Sequence, residues 1–133
     1  MYVTQSGATE IDVEMHEGRL EPVLTICVNG TITVDWGDNT TPDTVTGTSL
    51  ATRLDVPHTY VSEGSYTINI LATENNKYRF YGSSTITILR KYSTLSNNEN
   101  GVYSNTVQHI RIGNNAEIGD NAFYNCYSLS SIT

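Results

Sequence analysis

The sequence contains little of what most catalytic and metal-binding motifs require. Its 133 residues include two cysteines, three prolines and one tryptophan. Cys27 and Cys126 lie far apart in unlike surroundings, so neither a disulfide framework nor a zinc cluster is predicted, and both are interpreted as free buried thiols. Basic residues are also scarce, since 7 Lys or Arg stand against 14 Asp or Glu and leave a net charge of -7. Such a surface repels phosphate backbones, which argues against nucleic acid as a partner.

Long hydrophobic runs are missing as well. A membrane-spanning helix needs about 20 consecutive apolar residues, and no run approaches that length, so membrane insertion is not expected. The first ten residues, MYVTQSGATE, lack the basic stretch and the apolar run of a signal peptide. A secreted protein without its leader would look the same, so export stays open.

Thr, Val, Ile and nine Tyr residues give the composition of half-buried strands instead. From residue 10 to residue 91, apolar residues recur at alternate positions between turn-forming residues. The pattern predicts six strands, at 10–16, 22–29, 31–37, 52–60, 65–73 and 84–91. Short strands at this spacing favour an all-β fold, an antiparallel β-sandwich.

The alternation also predicts which side chains line the inside of the sandwich. Four sets each share one strand face: Leu24, Ile26 and Val28; Ile32, Val34 and Trp36; Tyr66, Ile68 and Ile70; and Ile86 and Ile88. One local signal conflicts, because Asn29-Gly30 is a strong hairpin marker, whereas an immunoglobulin-like order sends the flanking strands to opposite sheets. We interpret this pair as a tight corner.

The alternation stops after residue 91. Residues 92–106, YSTLSNNENGVYSNT, have the composition of a linker or a long surface connection. Residues 107–133 then follow a rhythm that fits neither a strand nor a helix period throughout. The predicted organisation is a sandwich at 1–91, a linker at 92–106 and a second unit at 107–133.

Three motifs in the first unit resemble a known family. They are Asp35-Trp36-Gly37-Asp38, Val56-Pro57-His58-Thr59-Tyr60 and Glu63-Gly64-Ser65-Tyr66-Thr67-Ile68. Their order and spacing are similar to those of polycystic kidney disease (PKD) domains, which show a WDFGDG-like motif, an HxY motif and a Gly-x-Tyr-Thr-Val strand. The resemblance covers residues 10–91 and implies an immunoglobulin-like sandwich. Val34, Trp36 and Asn39 depart from the family pattern and are interpreted as core and turn variation.

The second unit resembles another family. Residues 118–133, IGDNAFYNCYSLSSIT, are similar to one unit of the BspA-type leucine-rich repeat, which reads roughly I-x-x-x-A-F-x-x-C-x-x-L-x-x-I. The matching residues, interpreted as repeat core, are Ile118, Ala122, Phe123, Cys126, Leu129 and Ile132. A solenoid repeat cannot bury its apolar face alone, so the resemblance implies a piece of a longer repeat protein. We expect residues 107–133 to pair with a second copy or to pack back on the sandwich.

The most chemical-looking run is Asp35-Trp36-Gly37-Asp38. Its carboxylates and the amide of Asn39 could offer oxygen ligands to calcium, which some PKD-like domains bind. The loop lacks the dense alternation of acidic residues found in dedicated calcium loops. The interpretation adopted is structural: Trp36 fills the core, Gly37 supplies an unusual backbone dihedral and Asp38 accepts hydrogen bonds from turn amides. No metal and no cofactor are expected.

His58 and Tyr60 raise the question of acid-base catalysis. No Ser or Cys nucleophile lies in a recognisable setting beside them, and the other two histidines fall in unrelated segments, so the chain is not expected to be an enzyme. The PKD resemblance implies that His58 and Tyr60 brace the connection into the next strand, with the ring nitrogens held by backbone groups. Tyr66, just after Gly64, occupies the place of a corner tyrosine whose hydroxyl bonds back to the chain.

Tyr78, Phe80 and Tyr81 are the candidates for ligand binding, in the predicted loop ENNKYRFYG before the last strand of the sandwich. Aromatic rings on a loop tip suit stacking on a sugar or contact with a protein. The alternative is that the loop folds its rings back against the neighbouring repeat segment.

These features favour a non-catalytic extracellular or cell-surface module of a bacterial repeat protein. The sandwich would serve as a spacer or adhesion domain ahead of a leucine-rich-repeat surface that recognises a protein or a glycan. Self-association through the terminal repeat is a further expectation. The alternative function is a carbohydrate-binding accessory domain of a secreted hydrolase.

Overall fold

A computed structural model describes residues 7–17, 20–80, 107–113, 116–118 and 131–132. The described strands are β1 (Thr9–Met15), β2 (Val23–Asp35), β3 (Asp43–Pro57), β4 (Gly64–Leu71), β5 (Lys77–Phe80), β6 (Val107–Arg111), β7 (Ala116–Ile118) and β8 (Ser131–Ile132). These ranges contain no helix, and hence none that is long and apolar enough to cross a membrane. The all-β prediction is confirmed.

All eight strands belong to one curled sheet. Neighbouring strands follow the order β7, β5, β2, β4, β1, β6, β8, and β3 pairs with β2. The long strand β2 organises the sheet, because β3 covers one of its edges while β5 and β4 share the other. β5 pairs with residues 26–29 and β4 with residues 33–35. Two strands that follow each other along one edge of β2 give the sheet its curl.

The strand faces follow the two-residue period of the sequence. In β1, Thr9, Ile11, Val13 and Met15 are buried, whereas Glu10 and Glu14 are exposed. The aliphatic residues of the predicted inner faces of β2 and β4 are buried and share one core cluster with Trp36, against which Tyr66 packs partly buried. In β2 the alternation of burial begins only after Val28, because residues 23–28 are buried on both faces of the strand. Ile86 and Ile88 lie outside the described residues. The alternation therefore predicts the inside of the described sheet correctly.

The Asn29-Gly30 pair is neither a hairpin nor a corner, and this prediction is wrong. β2 runs through the pair as one strand, with Gly30 paired to Gly47 and held at a φ of 110°. A Cβ on Gly30 would lie 2.2 Å from Oδ1 of Asn76, which instead accepts a hydrogen bond from Thr31 N at 2.8 Å. The strands predicted at 22–29 and 31–37 are therefore a single strand, and the glycine leaves room for Asn76.

Two further elements differ from the prediction. β3 begins at Asp43, so residues 43–49, which no predicted strand covered, are paired with β2. β5 replaces the loop predicted around residue 78. The strand predicted at 84–91 and the linker predicted at 92–106 lie outside the described residues.

The described part of the second unit joins the sheet of the first. β6 pairs antiparallel with β1, β7 pairs parallel with β5, and β8 pairs parallel with β6. Ile110, Ile112 and Ala116 are buried in the same core cluster as Trp36. Of the two placements expected for this unit, packing back on the first unit is the one that residues 107–113 and 116–118 adopt.

Candidate functional site

Four aromatic side chains from the three sequence motifs of the first unit meet beside the end of β2. This aromatic cluster consists of Trp36, His58, Tyr60 and Tyr66. Trp36 stacks on His58 with ring centroids 4.6 Å apart and planes 4° apart, and His58 meets Tyr60 edge-on at 4.8 Å. Tyr60 stacks on Tyr66 at 4.3 Å. The sequence places these residues in three separate motifs, and the fold brings all of them together.

Trp36 is fully buried and holds two polar partners in place. Its indole Nε1 donates to Oδ2 of Asp43 at 2.8 Å, and its backbone carbonyl accepts the hydroxyl of Tyr60 at 2.8 Å. The ring thus fills the core as predicted, while its N–H ties the end of β2 to the start of β3. Burial of Tyr60 raises the pKa of its hydroxyl well above the usual value, as do the nearby carboxylates of Asp38 and Asp35.

Gly37 forms the turn that follows Trp36. Its φ is 78°, in the region that favours glycine, and its N–H donates to Oδ1 of Asp35 at 3.0 Å. A Cβ at this position would lie 2.2 Å from the backbone oxygen of Thr67. The turn therefore needs a glycine for two reasons, its dihedral angle and the close approach of β4. The predicted role of Gly37 is confirmed.

Asp38 is a nearly buried carboxylate with its oxygens engaged. Its side chain is 8% exposed. Oδ1 accepts Thr40 Oγ1 at 2.6 Å and Thr40 N at 3.3 Å, and Oδ2 lies 2.7 Å from His58 Nε2. Burial raises the pKa of Asp38, but the hydrogen bonds from Thr40 and His58 outweigh burial, so that its pKa lies below the usual 3.8.

Asp38 should make the stability of the protein sensitive to acid. A carboxyl whose pKa is lowered by folding stabilises the protein above the unfolded pKa, and that contribution is lost as the pH falls through the folded value. We therefore expect the urea midpoint of the wild type to decrease as the pH is lowered below about 3.8. The decrease should be steeper than that of Asp38→Asn. Asp35→Asn is the control for the change in net charge. Equal acid sensitivity of the two variants would contradict the assignment.

The ring of His58, in the second motif, has a different hydrogen-bond partner from the one predicted. The sequence analysis assigned backbone partners to the ring nitrogens, whereas Nε2 of His58 faces the carboxylate of Asp38 and must carry the proton that it donates. Backbone groups anchor the segment through the main chain instead. His58 N donates to Pro22 O at 3.0 Å, and Tyr60 N donates to Leu20 O at 2.8 Å. The bracing role stands, and its ring partner is corrected.

Tyr66 is the predicted corner tyrosine. Its hydroxyl donates to the backbone oxygen of Ser62 at 2.7 Å, four residues upstream. Gly64, where β4 begins, has a φ of 149°. The bond closes the turn that leads into β4, so the role proposed for Tyr66 is confirmed.

Tyr78 and Phe80 do not lie on an exposed loop, and that expectation is wrong. Both belong to β5, both are fully buried, and their rings pack edge-on at 5.9 Å. β5 runs between β2 and β7, which resembles the alternative that the rings pack against the repeat segment. Tyr81 lies outside the described residues. Neither Tyr78 nor Phe80 therefore offers an exposed face on which a ligand could stack.

The buried hydroxyl of Tyr78 predicts an alkaline limit to stability. Desolvation raises the pKa of Tyr78 to about 12 from 10.0, against the lowering effect of its hydrogen bond to Thr9. Between these two values the unfolded chain loses a proton that the folded chain keeps, so stability falls as the pH rises. The stability of the Tyr78→Phe variant should therefore fall less steeply than that of the wild type between pH 10 and pH 12. Urea unfolding at each pH measures this slope, and Tyr66→Phe, at an exposed hydroxyl, is the control.

The acidic residues of the first motif serve the turn itself. Oδ1 of Asp35 bonds Gly37 N, and Asp38 bonds Thr40 and His58, so calcium would have to displace these bonds. Asn39 adopts a φ of 65° in the same turn. Within the described residues, no group of three or more His, Cys, Asp or Glu side chains could hold a metal ion. Calcium at Asp35, Asp38 and Asn39 is not expected from the sequence, and a rise in melting temperature on adding calcium that the wild type shows and Asp38→Ala does not would contradict that expectation.

The sequence analysis missed two residues that complete these contacts. Asp43, the partner of Trp36, follows it by seven residues, a spacing that carries no motif. Thr9 is buried beside Tyr78, and its position in phase with Ile11 and Val13 was the available signal. Four residues of the repeat motif, Ala122, Phe123, Cys126 and Leu129, lie outside the described residues. Cys27 is buried and free.

Comparison with known proteins returns no match, whether to a family model, to a curated protein or to a solved structure.

Proposed function

We propose that the chain is a non-catalytic module exposed outside the cell. In this proposal a PKD-like sandwich acts as a spacer or adhesion domain ahead of a leucine-rich-repeat surface that binds a protein or a glycan. The observation that carries it is the closed aromatic cluster. A catalytic acid or base must present its reactive atom to a substrate, whereas Asp38 faces His58 and Thr40, and Trp36 faces Asp43. The most chemical-looking residues are used to hold the fold.

The strand pairing in the second unit supports the leucine-rich-repeat part of the proposal. β6 and β8 are parallel, with His109 opposite Ser131 and Ile110 opposite Ile132. The chain thus returns beside itself with a constant offset of 22 residues (131 less 109). Leucine-rich repeats have a period of about 20–29 residues and stack their strands in parallel. Ile118 and Ile132, the first and last matching residues of the repeat motif, lie in β7 and β8.

Continuity of the sheet supports a role as a spacer. A spacer has to transmit position and force between the parts that it joins, and a flexible connection does this poorly. Here β6 and β7 are hydrogen-bonded into the sheet of the first unit, and Ile110 and Ala116 share its core. The described parts of both units are therefore coupled by packing.

Protease treatment of intact cells that make the protein tests exposure outside the cell. The full-length polypeptide is followed with an antibody raised against this chain. We expect external protease to remove the signal from intact cells as completely as from lysed cells, while a cytosolic marker survives. A signal that survives until the cells are lysed would overturn the proposal.

The binding part has a separate test. The purified chain is passed over immobilised extracellular-matrix proteins and over a glycan array. Saturable retention on a matrix protein or a glycan supports the adhesion role. Retention on plant or microbial polysaccharides alone, together with a neighbouring hydrolase domain in the full polypeptide, would replace it with the accessory-domain function.

A further inference from the structure

We infer that the contact between the sheet and residues 107–118 is the N-terminal cap of the repeat segment, on which the first coil of the repeat folds. This contact, here the capping seam, is formed by β1 and β5 on one side and by β6, Gly113 and β7 on the other. The inference rests on the proposed repeat architecture. It adds that the first unit has a second task, which is to close the open end of the solenoid.

β6 is the first strand of the parallel stack, and its outer edge needs a hydrogen-bonding partner. A strand at the end of a parallel stack leaves one row of backbone N–H and C=O groups unpaired, which invites association with other strands. β6 carries β8 on one edge and β1 on the other. The pairing with β1 is antiparallel, from Glu10 opposite Arg111 to Val13 opposite Val107. Because the other edge of β1 is taken by β4, the stack ends in a sheet and not at a free edge.

A buried chain of hydrogen bonds crosses the capping seam. The hydroxyls of Tyr78 and Thr9 are hydrogen-bonded to each other, and Gly113 N donates to Thr9 Oγ1 at 2.9 Å. Thr9 and Tyr78 are fully buried. One threonine hydroxyl therefore ties β5, β1 and Gly113, the second residue after β6, into one network. Such networks are costly to open, because each buried polar group that loses its partner remains desolvated.

The backbones also approach closely at Gly113. A Cβ there would lie 2.4 Å from the carbonyl oxygen of Gly7 and 2.5 Å from the nitrogen of Thr9. Nearby, Nη1 of Arg111 donates to the carbonyl of Ala8 at 3.0 Å. The chain after β6 thus lies directly on the start of β1, and only a residue without a side chain permits the contact.

β7 makes the second half of the capping seam. It pairs parallel with β5, and Nε of Arg79 lies 3.3 Å from Oε1 of Glu117. Ala116 is fully buried in the common core. Since β6 and β7 contact different strands of the sheet, the segment between them is fixed at both ends.

The consequence concerns the order of folding. Residues 107–113 and 116–118, which begin the first coil of the repeat, make most of their described contacts by pairing with β1 and by burying Ile110 and Ala116. On the β1 side, a single coil has no other coil on which to stack. We therefore expect residues 107–118 to open whenever the capping seam opens, while β2 and β3 stay paired.

Hydrogen exchange of the full chain tests this coupling, with two isosteric threonine variants. Thr9 and Thr25 are the two buried polar residues among the described residues, and Thr25 bonds Asp55 between β2 and β3, away from the capping seam. Thr9→Val should speed exchange in residues 107–113 about tenfold or more relative to β2 and β3, the factor that corresponds to about 1.4 kcal/mol. Thr25→Val removes a bond between β2 and β3 themselves, so it should not raise that ratio.

A second variant guards against an ambiguous result. Gly113→Ala disturbs the capping seam from the repeat side and should raise the same exchange ratio at least as much as Thr9→Val. Unchanged exchange in residues 107–113 in both variants would overturn the inference, and so would unprotected exchange of these residues in the wild type. The protease experiment on cells reports location alone, so failure of the proposed function and failure of the cap are distinguishable.

Discussion

Gly37→Ala is expected to lower the free energy of unfolding by about 3 kcal/mol or more, among the largest effects of any single substitution in this chain. Two costs combine at this position. An alanine at a φ of 78° adopts a left-handed conformation that costs roughly 1–2 kcal/mol. Its Cβ would also lie 2.2 Å from the backbone oxygen of Thr67, so β4 or the turn must shift. A shift of either one disturbs the neighbouring bond between Tyr60 and the carbonyl of Trp36.

Gly7→Ala is the matched control for the backbone cost. Gly7 has a φ of 92°, but its Cβ would meet only Nη1 of Arg111, at 3.8 Å. We expect Gly7→Ala to lower the free energy of unfolding by about 1 kcal/mol. Urea unfolding of both variants, followed by circular dichroism, measures the difference. Equal losses in the two variants would show that the approach of β4 to the turn is not tight.

The contacts of the turn that contains Gly37 bear on whether its acidic residues form a metal or catalytic site. Asp35, Trp36 and Asp38 have the side chains of a metal or catalytic site, yet each makes a bond inside the turn or the cluster. Polar groups used in this way position the chain and fix the ends of β2 and β3. The same residue types in an open cleft would support another conclusion.

Much of the described core could be predicted from the sequence. Alternation places Leu24, Ile26 and Val28 on one face because each strand has a period of two, and a sheet with one buried face allows no other phase. Trp36 and Tyr66 followed from a motif in which the residue type suits a core ring and a corner hydroxyl. These are local patterns, in which a few neighbouring residues decide the outcome.

Other features depend on contacts that sequence patterns do not encode. Asn29-Gly30 suits a two-residue turn, but Asn76, far along the chain, fills the space beside Gly30 and keeps β2 continuous. The sequence predicts a loop at β5, although Lys77, Tyr78, Arg79 and Phe80 alternate with the period of a strand. In the fold, the rings point into the core, and Arg79 bonds the carbonyl of Leu50 and faces Glu117.

The partner of His58 could not be predicted for the same reason. Asp38 precedes it by 20 residues, and the pairing arises only when the turn after β2 meets the segment after β3. The parallel pairing of β7 with β5 is also a tertiary outcome, since parallel neighbours are joined through long connections. The resemblance to repeat proteins indicated a separate unit, whereas the described part of it extends the sheet.

Removal of Trp36 tests whether the aromatic cluster is structural. Trp36→Ala should lower the free energy of unfolding by about 3–5 kcal/mol, the usual cost of truncating a buried aromatic residue. The loss includes the stack on His58 and the bond to Asp43. Trp36→Phe keeps a ring in the core and should lose less, about 1–2 kcal/mol, mainly because the half-buried Asp43 loses its donor. Trp36 is the one tryptophan of the chain, so unfolding of both variants must be followed by circular dichroism.

The size of these losses separates two roles for the ring. A ring that serves as a platform for a ligand is held partly exposed, and its loss reduces binding with little effect on stability. A ring that fills the core does the reverse, and Trp36 has no exposed surface. Tyr66→Phe is a further control, because it removes only the hydroxyl that bonds the backbone oxygen and the side chain of Ser62 at the outer end of the cluster. Its free energy of unfolding should fall by about 1 kcal/mol. A Trp36→Ala variant as stable as Tyr66→Phe would mean that the ring is dispensable to the core, and the non-catalytic interpretation of this motif would lose its basis.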